Sequence, residues 1–218
     1  GTFTDLVLEK NKILYTKKVL TSVKKPEIAV MEGVLELLHA NNVEPSQIDM
    51  IIHGTTLATN AVIERKGAHS CFITTSGFRD VLDIGYESRF DQYDLLLEKT
   101  LSIVPRKYRY VVEERTDVDG KILKPLNINN LDTLFKKISK EKFESIGIGF
   151  LHSYANPKNE IILRELLSKK FPNIKISISS EVCPEIREYE RFTTTVINSY
   201  IKPLISRYLD NLKKSLVN

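Results

Sequence analysis

The stretch Ile48-Asp49-Met50-Ile51-Ile52-His53-Gly54-Thr55-Thr56-Leu57-Ala58-Thr59-Asn60-Ala61-Val62-Ile63-Glu64-Arg65-Lys66-Gly67 decides how the rest of the chain is read. Ile48 to His53 is a short apolar run closed by a glycine, the pattern of a buried strand. Gly54 permits backbone angles that other residues avoid, so a turn is expected there. Thr55 or Thr56 then caps a short helix, whose first N–H groups lack internal partners. Free donors, two hydroxyls and the positive helix end together suit an anion, most naturally phosphate. The same residues also suit an ordinary capped helix with no ligand.

Around this centre the chain alternates. Leu6 to Glu9 and Ile13 to Val19 read as two antiparallel strands joined at Lys10-Asn11-Lys12. A helix is expected from Pro26, with Ile28, Met31, Val34, Leu35 and Leu38 at helical spacing and Asn41-Asn42 ending it. Ser70 to Thr74 reads as a further apolar strand. From Ser76 to about Asn129 the period is lost, apart from strands at Tyr108 to Asp117 and Lys121 to Lys124 that meet at Asp119-Gly120. This stretch is expected to be an inserted small β-containing subdomain. Alternation then returns with a helix through Leu131, Leu134, Phe135 and Ile138, a strand from Ser145 to Leu151, a helix opened by Asn156-Pro157, and a strand through Ile174, Ile176 and Ile178. Strand–helix–strand of this length implies a parallel pair. Glu188 to Leu216 forms one long helical pattern, with Pro203 expected to kink or divide it. The fold class is therefore α/β, a mixed sheet flanked by helices.

At 218 residues, with 42% hydrophobic and 28% charged residues, the chain can bury a sizeable core and does not have the composition of a disordered one. No apolar run is long enough to cross a bilayer and no basic-then-apolar leader is present, so a soluble cytoplasmic protein without a membrane partner is expected. The net charge of +4 comes from scattered lysines interleaved with glutamates, which is no nucleic-acid footprint. Cys71 and Cys183 lie far apart, and Cys71 reads as a small core residue. No HExxH or His/Asp cluster offers zinc ligands. His53 reads as hydrogen-bonded structure, and His39 and His152 belong to no constellation.

Gly1-Thr2-Phe3-Thr4-Asp5 is a second candidate site. A glycine turn brings backbone N–H groups to a phosphate, the threonines add donors, and Asp5 is placed to hold Mg²⁺ through water. Four motifs in one order carry a resemblance: this start, His53-Gly54-Thr55-Thr56-Leu57-Ala58-Thr59-Asn60-Ala61, Gly77-Phe78-Arg79-Asp80-Val81-Leu82, and Glu188-Tyr189-Glu190-Arg191-Phe192-Thr193-Thr194-Thr195-Val196-Ile197-Asn198-Ser199-Tyr200. Together they resemble the hydantoinase A / 5-oxoprolinase / acetone carboxylase β-subunit family across essentially the whole chain. That family usually opens Asp-x-Gly-Gly-Thr-Phe-Thr-Asp, and this chain begins at the second glycine, so an N-terminal fragment is expected. On this resemblance residues 1–180 are the hydantoinase/oxoprolinase N-terminal region, with the insertion at about 76–129. Residues 181–218 are then the helical start of the following hydantoinase A domain.

The resemblance implies the actin/Hsp70/sugar-kinase-like (ribonuclease H-like) ATPase fold. Gly1, Thr2, Thr4 and Asp5 would form the first phosphate loop, and Gly54, Thr55 and Thr56 a second wall of the same cleft. It implies ATP and Mg²⁺ as cofactors, Asp5 as the catalytic and water-mediated metal residue, and ATP-dependent hydrolysis of a cyclic amide such as hydantoin, N-methylhydantoin or 5-oxoproline. A B-type hydantoinase subunit is the expected partner, in an oligomer. Two alternatives stay open: an acetone carboxylase-like β subunit, and a non-catalytic ATP-binding or assembly module. Arg89, Glu190 and Arg191 are candidate substrate residues, and Arg79 with Asp80 an expected ion pair.

Overall fold

The computed structural model describes residues 3–21, 26–86, 93–94, 96 and 101–217. The chain divides into two compact units, residues 1–60 with 204–218, and residues 61–203.

The first unit opens on a hairpin of β1 (Phe3–Lys10) and β2 (Ile13–Leu20), paired antiparallel from Phe3↔Leu20 to Lys10↔Ile13. Its two-residue turn places Asn11 and Lys12 at φ 54° and 64°, the mirror-image turn that matches strand twist. Helix α1 (Pro26–Ala40) covers one face of the hairpin. Its buried residues are Ala29, Gly33, Leu37 and Leu38; of the expected set Leu38 is buried, Met31 and Val34 are half-buried, and Ile28 and Leu35 are exposed. Close approach explains the choice: a Cβ on Gly33 would lie 2.3 Å from Leu6 Cδ1 and 3.1 Å from Val19 Cγ1. Helix α1 ends as expected, with Asn42 at φ 49° and the Asn41 amide donating to the Leu37 carbonyl at 2.8 Å.

Ile48 to His53 forms no strand. The expectation of a buried strand is corrected here for a physical reason: no other strand among the described residues pairs with this run, so its apolar side chains stay in solvent. Helix α2 (Leu57–Ile63) begins just past the threonines, as expected.

The second unit is built on β3 (Ser70–Thr75), buried throughout. After it come α3 (Val81–Ile84), β4 (Arg109–Val112), the hairpin of β5 (Arg115–Thr116) and β6 (Ile122–Lys124), and α4 (Leu131–Lys140). Then follow β7 (Ser145–Gly149), α5 (Lys158–Lys170), β8 (Lys175–Ile178), α6 (Ser179–Val182) and α7 (Glu188–Val217). The order β4-β3-β7-β8 is parallel throughout. The antiparallel pairs stand apart from this sheet, so the expected mixture of directions belongs to the chain and not to one sheet. The strand expected from Tyr108 to Asp117 is two strands: β4 joins the central sheet, and only β5 meets β6, through a turn with Gly120 at φ 82°.

Alternation sorts the faces of this sheet. Cys71, Ile73, Ile146, Ile148 and Ile178 face Leu134, Ile138, Leu163 and Leu167 of α4 and α5. Phe72 faces Phe192 and Val196 of α7. Glycines on β7 let that helix approach, since a Cβ on Gly149 would meet Phe192 at 2.6 Å and Phe72 at 2.7 Å. Helix α7 is continuous across Pro203, so the expected division does not occur, although the boundary between the two compact units falls there. Among the described residues no helix is long and apolar enough to cross a membrane.

Candidate functional site

The Gly54–Thr56 bend is exposed, and a Cβ on Gly54 would find nothing within 4 Å. Its backbone is open to an incoming group. The Thr55 hydroxyl oxygen accepts the Leu57 N–H at 3.2 Å, the expected cap, and the Thr56 hydroxyl oxygen accepts from the Asn60 amide at 3.5 Å. Among the described residues neither hydroxyl proton has an acceptor. Just before the bend, the His53 ring is held by Tyr208, with Nε2 2.8 Å from the phenol oxygen and the rings 5.6 Å apart. Burial, and after it the charge of Glu27, pushes the Tyr208 phenol up.

Thr4 and Asp5 lie within β1 and not in a turn. Successive strand residues point to opposite faces. Thr4 is half-buried, its hydroxyl 2.8 Å from that of Thr21, whereas Asp5 is exposed and ion-paired with Lys18 at 3.1 Å. Their side chains therefore do not line one surface. Gly1, Thr2 and Arg89 lie outside the described residues.

Glu190 accepts a hydrogen bond from the Tyr86 hydroxyl, which holds its carboxyl below the usual range and the phenol above its own. Arg191, a candidate substrate residue, is fully buried. It donates to the Phe150 carbonyl at 3.1 Å, the Glu185 carbonyl at 2.5 Å and the Glu188 carboxylate at 3.3 Å. Its guanidinium also lies 5.2 Å and 5.3 Å from the ring centroids of Phe192 and Tyr154. It clamps the end of β7 to the first turn of α7. Asp80 pairs chiefly with Arg106, at 2.8 Å and 3.0 Å, and that guanidinium lowers its carboxyl; Arg79 stands 3.9 Å away.

Sequence reasoning missed a buried polar network at the C-terminal ends of the parallel strands. Glu114 accepts from the Thr75 hydroxyl and, at 2.8 Å, from the Asn159 amide. The Thr75 oxygen also takes the Leu151 N–H at 2.9 Å. Glu160, fully buried, accepts from the Phe150 N–H, both hydroxyls of Ser179 and Ser180, and the Ser180 N–H, at 2.6–3.0 Å. Burial pushes the Glu114 carboxyl up, its hydrogen bonds only partly offsetting the loss of water. The one signal in the sequence was Asn159-Glu160 on the inner side of α5. Each oxygen of both carboxylates takes at least one hydrogen bond, so this network ties the strand ends together. Among the described residues no group of three or more His, Cys, Asp or Glu is placed to hold a metal ion.

Comparison with known proteins joins these motifs. Residues 1–171 match the hydantoinase/oxoprolinase N-terminal region. An uncharacterised protein of Methanocaldococcus jannaschii is 41% identical over 223 residues, covering 100% of this chain and 32% of its own length. Caprolactamase subunit alpha of Pseudomonas jessenii is 29% identical over 97% of this chain and 32% of its own. For 5-oxoprolinase 1 of Arabidopsis thaliana the identity is 28%, over 96% of this chain and 19% of its own. The crystal structure of the ATP-dependent caprolactamase from Pseudomonas jessenii superposes with a TM-score of 0.86, covering 99% of this chain and 33% of that one. Nucleotide-free acetone carboxylase, at 22% identity and a TM-score of 0.80, shares the fold over 98% of this chain and 33% of its own. The chain thus spans a third or less of the proteins it matches, and within that span it belongs to the hydantoinase/oxoprolinase family, whose N-terminal region it carries.

Proposed function

We propose that these residues are the N-terminal lobe of an ATP-dependent hydrolase that opens a cyclic amide such as 5-oxoproline, a hydantoin or a lactam. The observation that carries this reading is the match to caprolactamase and 5-oxoprolinase across nearly the whole chain. An unstrained cyclic amide is poorly electrophilic; a phosphoryl group from ATP on the amide oxygen would let water add at that carbon. The ring C–N bond would then break to release the amine, and hydrolysis of the remaining carboxyl phosphate would give the carboxylate and inorganic phosphate.

The residues present fit a phosphate tail at one bend better than at the other. Gly54 has open space beside it and the hydroxyls of Thr55 and Thr56 keep protons to donate, so this bend would orient anionic oxygens by hydrogen bonding. Thr4 already bonds Thr21, and Asp5 would reach a hydrated Mg²⁺ only after parting from Lys18. In this reading Gly1, Thr2 and Asp5 serve the same nucleotide as Gly54–Thr56, with Thr4 turned to the other face of its strand, on an actin/Hsp70/sugar-kinase-like lobe, with a B-type subunit completing the enzyme in the cytoplasm.

A second reading, an acetone carboxylase-like subunit, is favoured by a 26% identical relative over 93% of this chain, the acetophenone carboxylase gamma subunit of Aromatoleum aromaticum. Assay of the intact polypeptide with its partner subunit separates the two. ADP release that depends on cyclic amide supports the hydrolase, and ADP release that depends on ketone plus bicarbonate supports the carboxylase.

A further inference from the structure

The His53 ring is exposed, yet one of its nitrogens is tied down: Nε2 lies 2.8 Å from the hydroxyl of Tyr208, a residue only 6% exposed. The phenol is carried by a helix and not by a loop. One turn on along α7, the Asn211 amide donates to the Glu27 carboxylate of α1 at 3.2 Å, which anchors this part of the helix. Burial, and after it the charge of Glu27, keeps the phenol protonated at neutral pH, so it has a proton to give. Among the described residues His53 Nε2 is the acceptor within reach of that hydroxyl, and Nδ1 has no partner. A buried O–H left without an acceptor is costly, and this sets the direction of the bond. In a neutral imidazole the nitrogen that accepts carries no proton, so the other one does. Nδ1, the nitrogen nearer the main chain, is then an N–H donor on the residue that precedes Gly54.

We propose that Tyr208 is a positioning residue for the nucleotide: by donating to His53 Nε2 it fixes the Nδ1–H form of the imidazole, and that N–H joins the Thr55 and Thr56 hydroxyls in binding the phosphate tail. The proposal rests on the reading of the Gly54–Thr56 bend as a phosphate site. The opposite polarity would strand the phenol proton and turn a lone pair of the ring toward the anion. A phenol also suits both charge states of the ring. If the imidazole gains a proton, the Tyr208 oxygen accepts from Nε2–H and the Nδ1 donor keeps its direction. Hydrogen bonds to charged oxygens are among the strong ones, so the orientation of this ring bears on nucleotide affinity.

The test uses the full-length protein with its partner subunit, labelled with heavy-nitrogen histidine and examined by NMR at about pH 8, where an unperturbed imidazole is neutral. The His53 signals, identified by their loss in His53→Gln, should show a protonated Nδ1 and an unprotonated Nε2. A non-hydrolysable ATP analogue should then move the Nδ1 signal. A proton on Nε2, or an Nδ1 signal that the analogue leaves unmoved, would overturn the proposal. Kinetics give the second readout. Tyr208→Phe should raise KM for ATP by about tenfold, as for a lost hydrogen bond to a charged group, and leave kcat and KM for the cyclic amide within about twofold. An equal rise in both KM values, the mark of a merely structural phenol, or no rise in either, would also overturn it. Should Tyr208→Phe not fold, the spectra of the unsubstituted protein decide. Cyclic-amide-dependent ADP release on the same preparation is scored separately. Its absence beside the expected Nδ1 response removes the hydrolase reading and leaves the role of Tyr208 standing; its presence beside a proton on Nε2 does the reverse.

Discussion

Glu114 is a carboxylate buried without a salt bridge to any described residue, held by Thr75 and Asn159. Because burial raises its folded pKa above the unfolded value, its contribution to stability is full below the unfolded pKa. That contribution is lost as pH rises through the folded pKa. Glu114→Gln keeps both hydrogen bonds with one donor reversed and removes the charge. Thermal unfolding followed from pH 4 to 8 should show a flatter stability profile for the variant and a higher Tm at neutral pH. Glu114→Ala strands the Thr75 and Asn159 donors and should lower stability by about 1–3 kcal/mol. Arg191 makes the opposite case, a buried cation with one carboxylate and two carbonyls around it. Arg191→Lys cannot reproduce the planar fork. It should lower stability by about 2–3 kcal/mol, within the range of hydrogen bonds to charged groups, while leaving KM for the amide unchanged; a raised KM at unchanged stability would return Arg191 to the substrate. Burial also pushes the Cys71 thiol up, so mapping with a thiol reagent should label Cys71 only after unfolding.

At the scale of elements, what was legible was what local chemistry dictates. The hairpin turn at Asn11-Lys12, the buried strands β3 and β7 and the long helix α7 all follow from short-range pattern. What escaped depends on partners distant in sequence. Arg109–Val112 looked like part of one long antiparallel strand because nothing local tells that its neighbour is β3. Ile48–His53 looked like a core strand and has none to pair with among the described residues. Glu114 and Glu160 join a buried network only once the fold brings Thr75, Ser179 and Ser180 to them. The face of α1 was legible only in part for a related reason: Leu38 is buried as its spacing suggested, while Ile28 and Leu35 are not, because the hairpin packs closely at Gly33. The same close packing predicts that Gly149→Ala, which forces a methyl against Phe72 and Phe192, costs about 1–3 kcal/mol in chemical denaturation. Retained stability would show that α7 can shift off the sheet.

For the whole molecule the decisive question is what the lobe works on, and the candidate site was legible only in part. The Gly54–Thr56 bend is exposed, with open space beside Gly54, while Asp5 sits in a strand beside Lys18. If Asp5 serves the nucleotide, Asp5→Asn should lower kcat by at least about tenfold, roughly 1.4 kcal/mol in transition-state stabilisation, with little change in Tm; an unchanged kcat would remove it from the chemistry. The most direct measurement is the stoichiometry of the intact enzyme with its partner subunit: ADP formed against ring-opened product across lactam, oxoproline and hydantoin substrates. The account predicts ADP and opened amide in fixed proportion and no opening without ATP. Ring opening in the absence of nucleotide, or ADP formed only with ketone and bicarbonate, would contradict it.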